Sequence, residues 1–263
     1  MAYRIHALTR DRLILYVLAA ALFAASWLVA NADIGELAPL ASVLFVIVMA
    51  VPAYYYLCRW TGVGRGLGMI VILGVLPLVV ESIGITTGIP YGGFYYTDRM
   101  GPKLLGLVPW SVAFAYGPLV LGSFTVAARM SGDPRIAIPL SSLVLVVVDL
   151  ILDPAAVVLN IWVWTEPGPY YGIPLTNYSG WFLTALVTNA LLLVFLSGGA
   201  RQVPSVDVRV MSSLILAVSF WTGYAIWTLL LIPAILGVLM VVLLLSVQMS
   251  QNVCDRDRNG QYR

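Results

Sequence analysis

The sequence predicts an all-α integral membrane protein, a polytopic helical bundle of about eight transmembrane helices with aromatic outer loops. Composition is the first observation behind this. Hydrophobic residues make up 61% of the 263 and charged residues only 10%, with a mean hydropathy of +0.95, where a soluble domain is roughly 25% charged. The second is length: the apolar residues fall into runs near the ~20 residues that cross a hydrocarbon core of ~30 Å. The third is the placement of basic residues, which sort to one side of those runs. A net charge of +2, with no basic run that tracks a phosphate backbone, excludes a nucleic-acid partner.

The first span covers 13–30. Basic residues precede it, but "ALFAASWLVANADIGEL" offers no convincing small-residue cleavage site, so it reads as a retained helix. Spans follow at 38–58, 67–86, 107–128, 137–160 and 180–197. The last apolar stretch, 209–247, is too long for one crossing and divides most naturally near "WTGYAIW", where Gly223 offers a turn and Trp221, Tyr224 and Trp227 suit an interface. Eight spans with a cytoplasmic N-terminus put Arg4, Arg10, Arg12, Arg59, Arg65, Arg129, Arg135, Arg201, Arg209, Arg256, Arg258 and Arg263 inside and only Arg99 and Lys103 outside. Seven spans put the basic tail "CDRDRNGQYR" on the wrong side, so eight spans with both termini cytoplasmic in the cell membrane is the preferred topology. Residues 1–263 form a single membrane domain. Cys58 and Cys254 fall near the cytoplasmic side, and neither a disulfide nor a metal site is expected of them.

The predicted outer face carries two substantial loops, "TTGIPYGGFYYTDRMGPKLLG" (86–106) and "WVWTEPGPYYGIPLTNYSGW" (162–181). Glycine and proline break helix there, and Tyr and Trp favour the headgroup layer. Gly-Ile-Pro beside Tyr-Gly or Tyr-Tyr-Gly occurs in both, a partial internal similarity rather than a repeat. Ordinary interfacial turns also have such composition, but the length and aromatic density favour a structured cap over a cavity.

Three acids stand out in the hydrocarbon stretches. Glu81 lies ~21 Å along the third span, and Asp149 and Asp153 lie ~20 and ~25 Å along the fifth, at 1.5 Å per residue. All three therefore share one depth, beneath the aromatic loops, and the two aspartates share one helix face. Burying an ionisable group in a bilayer costs at least ~2.5–3.5 kcal/mol, so such residues usually face a bundle interior and work there. A structural role competes with this. Asp153 before Pro154 has the form of an N-cap that restarts a broken helix, and Asp149 and Glu81 have the form of buried hydrogen-bond partners that tie helices together.

The chemistry open to such acids is narrow. His6 is the single histidine and precedes the first span, which argues against a histidine-bound di-iron hydroxylase and against Ser-His or Cys-His nucleophiles. "GVGRGLG" at 62–68 follows no predicted strand, so it is no dinucleotide loop. An Asp-x-x-x-Asp pair also suggests magnesium and a prenyl diphosphate. The intramembrane prenyltransferases, however, carry "NDxxDxxxD" twice, and the outer face here offers a diphosphate only Arg99 and Lys103. What remains is cofactor-independent acid-base work on a lipid-soluble substrate.

The segments "ESIGITTGIPYGGFYYTDRMG", "VPWSVAFAY", "VVDLILDPAAVVLNIWVW" and "GPYYGIPLTNYSGW" together resemble the CruF-like carotenoid hydratases, which include bacterial carotenoid 1'-hydratases and the archaeal bisanhydrobacterioruberin hydratase. The likeness covers about 75–185, with Asp-x-x-x-Asp-Pro and Tyr-Gly-Ile-Pro-x-x-Asn-Tyr-x-Gly-Trp its most specific parts. It implies addition of water to the terminal isoprenoid double bond of an acyclic or monocyclic carotenoid held in the bilayer, with possible association with other enzymes of carotenoid biosynthesis.

The chemistry of the residues agrees with that implication. Protonation of the alkene leaves a tertiary carbocation that water traps, which needs a neutral carboxylic acid, a group that holds and deprotonates water, and aromatic faces in a dry pocket. Glu81, Asp149 and Asp153 are the candidates for the first two roles, with Asp149 the choice for proton donor. Tyr91, Tyr95, Tyr96, Trp110, Trp162, Trp164, Tyr170, Tyr171, Tyr178 and Trp181 are candidates for the third, although each alone also suits packing or the interface. Asn177 suits either orienting water or satisfying loop backbone. Two rival readings use the same residues: a carotenoid cyclase, in which an internal double bond captures the cation, and a non-enzymatic carotenoid or lipid carrier.

Overall fold

A computed structural model describes residues 2–197 and 202–260, with side chains over 10–197 and 202–250. His6, Cys254, Arg4, Arg201, Arg256, Arg258 and Arg263 were assigned sides from sequence, and their side chains lie outside the described residues. Cys58 is a free thiol.

Among the described residues, eight helices are long and apolar enough to cross a membrane. They are α1 (Ala2–Asn31), α2 (Ala38–Thr61), α3 (Val63–Thr87), α4 (Val112–Met130), α5 (Pro134–Val158), α6 (Leu175–Ser197), α7 (Ser212–Trp227) and α8 (Leu231–Gly260). Short strands lie in the two long loops: β1 (Phe94–Tyr96), β2 (Lys103–Leu104) and β3 (Val108–Pro109) between α3 and α4, and β4 (Trp162–Trp164) between α5 and α6. Successive spans alternate in direction, so both loops lie at one end of the bundle. The chain is thus a multi-pass membrane protein of all-α class.

Hydrocarbon tails are as apolar as leucine, so close packing rather than water exclusion joins such helices. The interior helices are α4 and α7, whose spans are 67% and 83% buried, while the span of α1 is only 11% buried. Around them lie one cluster built on Leu57, Leu73, Val120 and Phe124, a second on Met211, Leu214, Ile215 and Leu244, and a third beneath the loops on Tyr91, Ile173 and Ala156.

Three boundaries differ from the sequence reading. The final apolar stretch does not turn at Gly223, which is helical and lies against Ser26 and the Phe23 carbonyl of α1, where a side chain does not fit. The turn falls at 228–230, with Leu229 in the left-handed region (φ 58°); Trp221 and Tyr224 face inward and only Trp227 is exposed. Helix α6 begins at Leu175, directly after Pro174, so Asn177, Tyr178 and Trp181 are helical rather than part of a loop. Helix α4 begins at Val112, because 103–109 is occupied by the β2–β3 hairpin.

Candidate functional site beneath the paired loops

Helix α5 runs unbroken from Pro134 to Val158 and carries Pro154 in its interior. Asp153 is therefore not an N-cap, which corrects the capping alternative. A proline lacks the N–H that would bond the carbonyl four residues back, so Leu150 loses its helical partner. The Tyr170 hydroxyl replaces it, donating to the Leu150 carbonyl at 2.9 Å. That bond holds the turn between the two aspartates.

Asn177, in the first turn of α6, uses its two amide hydrogens on both acids. Its Nδ2 donates to Asp149 Oδ2 at 3.2 Å and to Asp153 Oδ2. The two carboxyls, one helical turn apart on α5, thus share a single amide nitrogen. Asp153 and Asn177 are buried, whereas Asp149 keeps an accessible face, and that face is turned to a cavity.

Glu81 of α3 is buried on the same cavity. Its Oε2 accepts a hydrogen bond from the Tyr96 hydroxyl at 2.7 Å. Burial first, and then the Glu81 charge, push the Tyr96 phenol well above its usual value, so it remains a donor to Glu81. Among the described residues, the Glu81 carboxylate bonds Tyr96, whereas the aspartates bond Asn177.

The cavity measures about 340 Å³. Strands β1 and β4 roof it as an antiparallel pair, Phe94 opposite Trp164 and Tyr96 opposite Trp162. Side chains alternate across a strand, so these four rings share one face and line the cavity. Phe94 lies 5.2 Å from Trp164, and Tyr96 5.8 Å from Trp162. Tyr95 takes the opposite face and is exposed, so the aromatic role expected of it fails on strand alternation.

Tyr91 is fixed from several sides. Its hydroxyl bonds Thr184 Oγ1 at 2.9 Å, and burial pushes its phenol above the usual value. Gly84 of α3 and Gly180 of α6 flank its ring so closely that a Cβ on either would come within 2.8 or 2.7 Å of it. Trp181 packs on Tyr91 at 4.7 Å and stacks on Tyr116 at 5.3 Å.

The remaining candidates lie off the cavity. Trp110 packs on Phe114 from outside the lining. The Tyr171 hydroxyl accepts from the Ile232 N–H at 3.3 Å and ties the second loop to α8. Tyr178 is buried on α6 against Tyr170. The lining also includes rings the sequence reading passed over: Phe94, Tyr116 of α4, Phe45 of α2, and Phe220 and Trp221 of α7. Tyr116 had a usable signal, a hydroxyl-bearing ring near the middle of the span expected over 107–128, although α4 itself places it in the second turn.

The geometry is an acid pair, a separate glutamate and several ring faces around one cavity. Residues 37–244, well over half of the chain, match the family described as carotenoid biosynthesis protein. The chain belongs to that family. The matched residues include every lining residue except Val29 and Ile34. Over 167 residues the chain is 34% identical to a protein of Haloarcula japonica named bisanhydrobacterioruberin hydratase. That likeness covers 60% of this chain, and the chain spans 57% of the relative's length. No solved structure matches the chain.

Proposed function

We propose that this member of the family is a carotenoid hydratase that adds water to the terminal isoprenoid double bond of an acyclic or monocyclic carotenoid, without a cofactor. The observation that carries the reading is the pair Asp149 and Asp153, both bonded by the Asn177 amide and lining an aromatic cavity inside a membrane bundle. The hydratase name of the Haloarcula japonica relative supports it.

In this mechanism Asp149, the acid with an open face to the cavity, gives its proton to the less substituted alkene carbon. The π bond breaks, a C–H bond forms, and a tertiary cation remains. The faces of Tyr96, Trp162, Trp164 and Trp181 stabilise it by cation–π attraction, which is worth more in a dry site than in water. Water adds to the cation through oxygen and loses a proton to Asp153 or Glu81. On the Asp153 route the proton then passes back to Asp149, its neighbour one turn away on α5, so that cycle consumes one water and no net proton.

The test is expression of the full chain in a cell that makes an acyclic carotenoid, followed by mass analysis of its pigments. A product heavier by one water is expected. A product of unchanged mass with a new ring moves the assignment to a cyclase, and unchanged pigment bound to the protein moves it to a carrier.

A further inference from the structure

The cavity is larger than the chemistry needs and has a second arm. On α2 its lining runs along one face from Ala41 through Phe45 and Met49 to Ala50, ~14 Å at 1.5 Å per residue. On α7 Ala217, Phe220 and Trp221 face it. This arm is almost wholly apolar, and at the loop end it reaches Val29, Ile34 and Ala41. All three line the cavity yet are exposed on the bundle's outer surface, Val29 by 42% and Ile34 by 48%. The acids thus open to the periphery through an apolar passage between the end of α1 and the start of α2.

Size decides what the passage is for. A volume of about 340 Å³ is at the small end of pockets for compact ligands, ~300–1,000 Å³. It encloses the end group of a carotenoid, and the conjugated chain is far longer than the cleft. The unreacted chain must leave the protein, and the exposed lining at Val29 and Ala41, both within membrane-spanning helices, is an exit toward lipid, with Ile34 at its rim in the α1–α2 connection.

We propose that the α1–α2 passage is the binding subsite for the polyene chain: the reacting end sits at Asp149 while the remainder runs past Phe45 and Phe220 and emerges beside Val29 and Ala41 into the hydrocarbon. This deepens the hydratase reading by naming where the rest of the substrate lies, and it rests on a polyene being the ligand. The occupant is the carotenoid itself, because the arm is continuous with the acid site.

The test uses the full chain in membranes of a carotenoid-producing cell. Ala41→Trp narrows the passage at an exposed position, and pigment retained per purified protein should fall tenfold or more. Leu44→Trp, exposed on the same helix and off the lining, should retain pigment at the original level. A benzophenone amino acid at Val29 should crosslink to pigment on illumination, and one at Leu44 should not; this arm does not depend on Ala41→Trp folding. Undiminished pigment in a folded Ala41→Trp protein, crosslinking at Val29 to phospholipid alone, or no crosslinking at Val29 overturns the proposal. Failure of the hydratase reading looks different: the chain retains and crosslinks pigment, and the pigment's mass never changes.

Discussion

Replacing Asp149 by Asn keeps the side-chain shape and removes the transferable proton. The local network has a way to accept the change. The new side-chain carbonyl still accepts from Asn177, the donor that now lies 3.2 Å from Asp149. The fold and pigment retention should therefore survive. The loss should fall on the proton-transfer step, where a positioned general acid contributes ~10²–10⁴ in rate, or ~2.7–5.4 kcal/mol at 1.36 kcal/mol per decade. The assay is a time course of hydrated product by mass spectrometry, normalised to folded protein and with Glu81→Gln and Asp153→Asn alongside. If Asp149→Asn hydrates at the normal rate while Glu81→Gln is inactive, Glu81 is the donor. If all three amides are active, the acid mechanism is refuted.

Tyr170→Phe strands the Leu150 carbonyl and should lower stability by ~1–3 kcal/mol, the cost of an unsatisfied buried polar group; thermal unfolding in detergent reads it. Combining it with Pro154→Ala restores a backbone N–H four residues on, so the double variant should recover part of that loss, and strict additivity would contradict the assigned bond. Gly180→Ala drives a methyl toward the Tyr91 ring and the Pro90 carbonyl, 2.7 and 2.8 Å away, and should cost ~1–3 kcal/mol as overpacking. Turnover should persist in chelator and without oxygen, since the residues proposed to react carry their own proton; dependence on iron or oxygen would return a hydroxylase to first place. Reporter fusions should place both termini in the cytoplasm, and an external C-terminus would overturn the sidedness drawn from the basic residues.

Apolar length and the depth of three carboxyls were sufficient to read the eight helices and to bring Glu81, Asp149 and Asp153 under the same loops, because both follow from helix rise alone. Tyr95 was misread because its neighbours Phe94 and Tyr96 pair with β4, and a three-residue strand is too short to announce its alternation. Asn177 was placed in a loop because the Gly-Pro-Tyr signal before it runs into α6 without a polar break. Phe45, Phe220 and Trp221 were indistinguishable from lipid-facing residues, since hydropathy cannot tell a cavity wall from a membrane surface when both are hydrocarbon. The turn at 228–230 has no Gly or Pro, so Gly223 attracted the assignment instead.

The sharing of Asn177 has a consequence for biogenesis. The amide that holds both aspartates comes 24 residues after Asp153 in the chain, so α5 leaves the ribosome before its partner exists. At up to ~2.5–3.5 kcal/mol for each acid, the insertion cost at a helix centre, two unpartnered aspartates burden that helix by at most ~5–7 kcal/mol. The remaining aliphatic residues of α5 must offset this, or the helix must wait beside the insertion machinery until α6 follows and the two enter as a hairpin. Release of α5 into lipid should then depend on synthesis of the α6 segment that bears Asn177.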